Sequence, residues 1–389
     1  MELGVVGKPN VGKSTFYRAA TLAQAEVASF PFTTIKPNLG VGYVSSPCPC
    51  AKFDLKCSPR NSLCRRGLRF TPVKIVDVAG IVPGAHRGRG LGNQFLDDLR
   101  QAHVLIHVID VSGKTDENGE PTKNHDPLRD ASFLSEEIDL WFAAIIKRNL
   151  DKIRNKVRQK TGSLAALLSE QLSGLGVSED SVKASLKKLG VEGACDLTDQ
   201  QIRKFASLIR SENKPIIVAA NKIDLDEGNF KRLKQDVDAV AVCAEAELAL
   251  REANQANLIE YVPGTSHFKL LDGLSDKQKE ALDFVEKEVL DKHQSTGVQK
   301  ILNKAVFQLL GYVTVYPVEN EHKLCDSSGA VLPDSYLMPP NSTVLDLAYK
   351  IHTSIGENFG GAIDVASKKK VGKDHTLSEG DVIKIISAK

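Results

Sequence analysis

No run of apolar residues in this chain approaches the length needed to cross a bilayer, and the N-terminus shows no n-region and h-region pair of an export signal. An excess of charge of one sign is also missing: 51 Lys and Arg against 49 Asp and Glu leave a net charge of +2. Global charge therefore does not announce a nucleic-acid binder, and any basic surface must be local. There are seven cysteines, an odd number that argues against a secreted disulfide framework. The expectation is a cytoplasmic protein (nuclear being the other default) with no membrane partner and no DNA specificity. What the chain does have is ordinary globular composition, 42% hydrophobic and 26% charged over 389 residues. That is enough for two or three domains and a sizeable core.

The most informative stretch is Gly7 to Thr15, GKPNVGKST, which follows the apolar run Leu3-Gly4-Val5-Val6 and leads into a helical pattern over 14–24. Strand, glycine-framed loop and helix are the context of a phosphate-binding loop. Gly7 and Gly12 allow tight wrapping, so that backbone N–H groups and the helix N-terminus face an anion. Lys13 then reaches the β- and γ-phosphates and Ser14 is a Mg²⁺ ligand. Alone, the match could be a chance Gly/Lys-rich turn; the later motifs argue otherwise.

Downstream, 28–38 (ASFPFTTIKPN) is an extended loop in which a threonine hydroxyl could complete a Mg²⁺ shell and sense the γ-phosphate. Leu39 to Ser45 reads as a strand. Val73 to Gly80 is a second strand ending in Asp-x-x-Gly, where Asp77 can hold Mg²⁺ through water and Gly80 can offer its N–H to a γ-phosphate. Five glycines from Gly80 to Gly92, with Arg87 and Arg89, suit a loop ordered by phosphate and released on hydrolysis; a plain connector is the alternative. Between these strands, Cys48, Cys50, Cys57 and Cys64 occupy a hairpin-tip excursion. Four thiols can hold Zn²⁺ tetrahedrally, although the spacing is not the paired C-x2-C form, and four reduced thiols in a loop is the other reading.

Val104 to Val111 is a buried strand, with His107 read as a hydrogen-bonded core histidine. Residues 132–212 read as helical, with a stripe from Leu134 to Val157 and a Thr198/Gln201 capping pair. The expectation is a hairpin or coiled-coil arm projecting from the sheet. Its basic residues from Lys147 to Lys160 are either a solvated face or a contact for RNA phosphates. Residues 215–220 resume the sheet and deliver Asn221-Lys222-Ile223-Asp224 to its C-terminal edge, where open α/β sheets bind ligands. Asp224 can accept from both N1–H and the 2-amino group of guanine. Lys222 can lie along the base and Asn221 can tie this loop to the phosphate loop. Residues 239–245 supply a last strand and loop, with Cys243 and Ala244 beside the base. Two helices, 275–293 and 297–310, follow. From Val313 a different module begins, strands around a helix capped by Thr343 and Asp346, which suggests a β-grasp domain with a local cluster at Lys368, Lys369, Lys370 and Lys373.

The ordered set GKPNVGKST, FPFTTIKPN, DVAG, GAHRGRGLGNQF, NKID and CAEAELA resembles the motifs of Obg-family GTPases. The helical insert and the segment PNSTVLDLAYKIH resemble the YchF-like branch with its TGS domain. The resemblance covers nearly the whole chain. It implies an α/β P-loop NTPase fold, a Ras-like G domain with a mostly parallel sheet, an inserted α-helical or coiled-coil arm and a C-terminal β-grasp (TGS) domain. The corresponding divisions are 1–125 and 213–310 for the G domain, 126–212 for the insert and 311–389 for the TGS domain. It further implies that Asn10, Val11, Gly12, Lys13, Ser14 and Thr15 bind phosphate and Mg²⁺, and that Thr34 is the switch threonine. By the same token Asp77 stands on the Mg²⁺ side, Gly80 meets the γ-phosphate, and Asn221, Lys222 and Asp224 read the base, beside Cys243 and Ala244. Lys13, Thr34 and Gly80 are the candidate catalytic positions. Some YchF-like proteins lack the guanine-reading aspartate and prefer ATP; this chain keeps it, so GTP is the expected substrate, with GDP and phosphate as products. Cys243 stands where many GTPases have serine. Ile81 stands where Ras-like GTPases have glutamine, so hydrolysis should be slow. Asn10 suggests K⁺ as compensation; His86 or a partner's arginine is a further option. A ribosome or ribosomal RNA is the implied partner. The competing readings are a nucleotide-stabilised binding module with little turnover and a YchF-type ATPase.

Overall fold

The computed structural model describes residues 1–22, 39–78, 99–191 and 197–387. Contacts divide the chain into two units, one running over Met1–Ala19 and Lys74–Ile301, the other over Val41–Val73 and Leu302–Lys389.

The first unit is built on β1 (Glu2–Val6), and α1 (Lys13–Thr21) follows it directly. In chain order β2 (Leu39–Pro47), the short α2 (Pro49–Lys52), β3 (Leu63–Arg65) and β4 (Leu68–Asp77) come next, their residues 41–73 being assigned to the second unit, and then β5 (Val104–Asp110). Together with β6 (Ile216–Asn221) and β7 (Ala239–Ala241), they give the order β2-β4-β1-β5-β6-β7, with β3 paired to β4. The pairings of β1 with β4 and β5, and of β6 with β5 and β7, are all parallel. β5 is buried at every position, as a central parallel strand covered on both faces must be.

One face is covered by the helical region: α3 (Pro127–Arg148), α4 (Leu150–Arg158), α5 (Leu164–Leu172), α6 (Glu179–Lys188) and α7 (Asp199–Asn213). Side chains capping these helices include Asp126, Ser163, Ser178 and the Thr198/Gln201 capping box that the sequence predicts. The predicted α-helical insert is present. Leu134, Ile138 and Phe142 of α3 share one buried cluster with Val6, Val76 and Leu105 of the sheet and with Leu168, Phe205 and Ile209 of α5 and α7, so the core of the insert is continuous with that of the strands. The ion pair of Arg210 Nε with Asp139 at 2.6 Å holds α7 beside α3. On the other side α8 (Glu227–Asp236), α9 (Ala244–Gln255), the hairpin β8 (Ile259–Tyr261) with β9 (Phe268–Leu270), and α10 (Asp276–Val285) bury a second cluster. α10 starts at the predicted Ser275/Gln278 capping box and runs on through a π-type turn at Glu286–Leu290.

The second unit holds α11 (Val298–Asn303) only at its C-terminal end, and then a five-stranded sheet. β10 (Val313–Val318), β11 (Tyr336–Met338), β12 (Phe359–Asp364), β13 (Lys369–Val371) and β14 (Val382–Ser387) lie in the order β11-β10-β14-β12-β13. The pair β10 and β14 is parallel; the helix over this sheet, α12 (Val344–Ile351), is followed by the short α13 (Thr353–Glu357). Val344 and Leu347 of α12 meet Val315, Met338 and Ile383 in one core, the β-grasp arrangement. The Thr343/Asp346 capping box starts α12 as predicted. Residues 41–73 belong to this unit by their contacts.

Candidate nucleotide-binding site

At the C-terminal ends of β1 and β6 lies a cleft of about 540 Å³, lined by Lys8, Asn10, Gly12, Lys13, Ser14 and Thr15 on one side and Asn221, Lys222, Asp224 and Cys243 on the other. This is the edge at which an open parallel sheet presents its ligand-binding loops. The loop after β1 takes its shape from a left-handed residue at Asn10 (φ +63°) and another at Gly12 (φ +89°). A Cβ on Gly12 would collide with the Asn221 side-chain nitrogen, so the glycine serves a close approach as well as a turn.

Asn221 is buried and joins the two sides. Its Nδ2 donates to the Val11 carbonyl at 2.9 Å, and its Oδ1 accepts from the Ala244 N–H at 3.0 Å. Lys222, also left-handed at φ +62°, donates to the Asn10 carbonyl at 3.0 Å and to Asp110 Oδ2 at 2.7 Å. Burial pushes the Asp110 carboxyl up, but hydrogen bonds from Lys222, Ser112 and Thr115 outweigh it and hold it below the ordinary range. Cys243 donates its thiol to Asp224 Oδ1 at 3.2 Å. Burial first, and then the Asp224 charge, push this thiol far above its usual range, so it stays a protonated donor. Lys13 donates to Asp77, which brings the phosphate-loop lysine onto the aspartate that ends β4.

Two contributors were not among the site residues to which the sequence pointed. Lys8 is buried and pairs with Asp130 Oδ2 at 2.6 Å; it also donates to the Thr115 carbonyl at 3.1 Å, while His125 Nε2 meets the other Asp130 oxygen at 2.8 Å. Asp110 stands at the C-terminal end of a buried strand beside Lys222, and that position was its signal. The Asn10 amide nitrogen is bonded to the Gly119 carbonyl at 2.9 Å, which leaves its carbonyl oxygen as the group a cation could use. For Mg²⁺, the Ser14 hydroxyl in the cleft and the Asp77 carboxylate are the hard oxygen donors such an ion takes. Thr34 and Gly80 lie outside the described residues, as do Ile81, His86, Arg87 and Arg89.

His107 is in the core as expected but its Nδ1 has no hydrogen-bond partner, which corrects the expected hydrogen-bonded ring at that atom. Burial, with Lys8 nearby, pushes its pKa down to about 3. Cys48, Cys50, Cys57 and Cys64, in the second unit, come together with their sulfur atoms all within 4.8 Å of one another.

The fold and the cleft define a P-loop nucleotide-hydrolase class of protein. Comparisons with known proteins agree. The 50S ribosome-binding GTPase family matches residues 2–139, the G4 motif-containing domain of Obg-like GTPases of the YGR210-like type matches 219–320, and the TGS domain matches 328–387. An uncharacterised GTP-binding protein of Methanocaldococcus jannaschii is 46% identical over 99% of both chains. The protein named ribosome-binding ATPase YchF of Escherichia coli O157:H7 is 25% identical over 98% of both. A crystal structure of a GTP binding protein from Pyrococcus horikoshii OT3 is similar at a TM-score of 0.80 and 40% identity over 100% of both chains. The chain belongs to the YchF-like branch of the Obg-like GTP-binding proteins, with a C-terminal TGS domain.

Proposed function

We propose that this chain is a slow GTP hydrolase, stimulated by K⁺, that works as a ribosome-associated switch in translation. The observation that carries the reading is the double hydrogen bond of Asn221, to Val11 of the phosphate loop and to Ala244 of the base side, around one cleft. A purine nucleoside triphosphate spans such a cleft with its phosphates at Lys13 and its base at Asp224. Asp224 accepts from guanine N1–H and the 2-amino group, a pair adenine lacks. Lys222 covers the base, held there by Asp110. Phosphates draw Lys13 away from Asp77, and Mg²⁺, held by Ser14, Asp77 and Thr34, neutralises their charge when bound. The Asn10 side-chain oxygen Oδ1 would hold a K⁺ ion. Gly80 donates to the γ-phosphate. The ribosome enters as partner because the YchF relatives are named ribosome-binding.

The same relatives are named ATPases, which supports a second reading, adenine as the base. Nucleotide affinities separate the two. GTP should bind at least about 100-fold more tightly than ATP, because adenine offers the half-buried Asp224 carboxylate neither of the two donors that guanine does. Asp224→Asn should lose that preference and gain xanthosine triphosphate binding. Equal GTP and ATP affinities in the unsubstituted chain would remove the guanine assignment. Turnover that responds to neither K⁺ nor ribosomes would instead favour a nucleotide-stabilised binding module.

A further inference from the structure

We propose that Cys48, Cys50, Cys57 and Cys64 bind one zinc ion as a tetrathiolate, and that the ion fixes the loop after α2 to the C-terminal module. The site lies in the second unit and is independent of the nucleotide cleft.

The four thiols arrive from separate places: Cys48 just before α2, Cys50 within it, Cys57 in the irregular stretch that follows and Cys64 on β3. Their sulfur atoms nevertheless lie within 4.8 Å of one another, and Cys50 and Cys64 sulfurs are 3.7 Å apart. A tetrahedral zinc with Zn–S bonds of about 2.3 Å sets its sulfurs about 3.8 Å apart. A four-iron cluster spreads its cysteines further than this. All four are free thiols, and Cys48 and Cys50 are buried.

A second, independent observation points to the ligand's charge. Arg69 is fully buried, and among the described residues it pairs with no carboxylate. Its partners are the Ser62 hydroxyl at 2.9 Å, the Leu332 carbonyl at 3.0 Å, the Cys48 sulfur at 3.4 Å and the face of the Tyr316 ring at 5.2 Å. A buried guanidinium without an anion is costly. Zinc bound by four thiolates carries a net charge of −2, so the filled site supplies the missing anion through Cys48.

The loop itself explains why a metal is needed. Residues 53–62 contain no helix or strand. They hold on to the C-terminal module by backbone and side-chain bonds: Ser58 N–H to the Val331 carbonyl at 2.8 Å, Arg60 N–H to the Pro333 carbonyl at 2.7 Å, and Asn61 to Ser335 in both directions. Arg60 also pairs with Asp326 at 2.6 Å. Pinning both ends and the middle of the loop to one ion keeps this row of donors in register.

The test uses the full chain, purified without chelator or added metal and analysed by plasma mass spectrometry. The expected content is about one zinc per chain. Cys57→Ser and Cys64→Ser should each drop it below about a tenth of an equivalent, whereas Cys325→Ser, a buried cysteine of the same unit outside the set, should retain it. Exchange into Co²⁺ should give the intense visible absorption of a tetrahedral cobalt thiolate. If the serine variants fail to fold, the unsubstituted chain still decides: stripping its zinc should expose four newly titratable thiols. No metal in the unsubstituted chain, iron in place of zinc, or a full equivalent surviving in Cys57→Ser overturns the proposal.

Discussion

Two buried side chains show how differently a single residue can act here. Asn221 has both ends of its amide committed, one to each side of the cleft. Its place as a tie to the phosphate loop was legible, because NKID after a phosphate loop and a DVAG strand is a specific order. His107 was legible only as a core residue. The sequence cannot say that a ring nitrogen goes unpaired, since that depends on what β1 and β6 bring alongside β5. Burial first, and then the Lys8 charge, hold this histidine neutral down to about pH 3. The unfolded chain takes up the proton near pH 6.5. Because the folded value is depressed, the unfolded state binds more protons between these limits, and stability falls as pH drops below about 6.5. At pH 5 this one group costs about 2 kcal/mol. His107→Leu should therefore lose less stability between pH 7 and pH 5 than the unsubstituted chain, by about that amount in urea unfolding. Equal acid sensitivity of the two proteins would refute the linkage.

At the level of elements, helices and strands were legible where a short-range rule governs them. Capping pairs at Thr198, Ser275 and Thr343 began helices as read, and the buried parallel strands announced themselves as apolar runs. The apolar stripe over 134–157 found the helices but not their partner, because a stripe states which face is buried and not what buries it. The Lys8–Asp130 pair is of the same kind: the two residues are far apart in sequence and ordinary in type, yet their side chains are 8% and 7% exposed. It fastens the phosphate loop to the first turn of α3. Breaking a buried pair by removing one partner leaves a desolvated charge and costs about 3–5 kcal/mol. Lys8→Met and Asp130→Asn should each lower unfolding stability by that order and loosen nucleotide binding. The double variant should recover part of the loss, since neither charge is then stranded. Strictly additive losses in the double-mutant cycle would show that the pair is not coupled.

For the whole molecule, motif order along the chain was enough to read a nucleotide hydrolase with an appended β-grasp module. The grouping of residues 41–73 with the C-terminal module had no sequence signal, because it rests on contacts between residues far apart in the chain, such as the cluster of Cys48 and Cys50 with Tyr316 and Leu332 and the bond of Ser58 to Val331. Charge is the remaining property that belongs to the whole chain. The net charge of +2 hides two basic stretches. In the insert Arg154 is tied to Asp151 at 3.0 Å within α4 and Lys147 of α3 to Asp199 of α7 at 2.8 Å, while Arg148, Lys152, Lys156 and Lys160 are exposed. Around β13, Lys368, Lys369, Lys370 and Lys373 are exposed. Among the described residues no ion pair engages these four, so this is one surface with cationic charge to give to an RNA backbone. If the ribosome is the partner, replacing Lys368, Lys369 and Lys370 with Glu should abolish co-sedimentation with ribosomal subunits in the GTP state while leaving GTP affinity within about two-fold. Contacts of this type release counterions, so binding by the unsubstituted chain should weaken steeply with salt, by a log–log slope of about −0.7 to −0.9 per phosphate neutralised. Co-sedimentation of the triple variant with an unchanged salt slope would exclude this surface as the RNA contact.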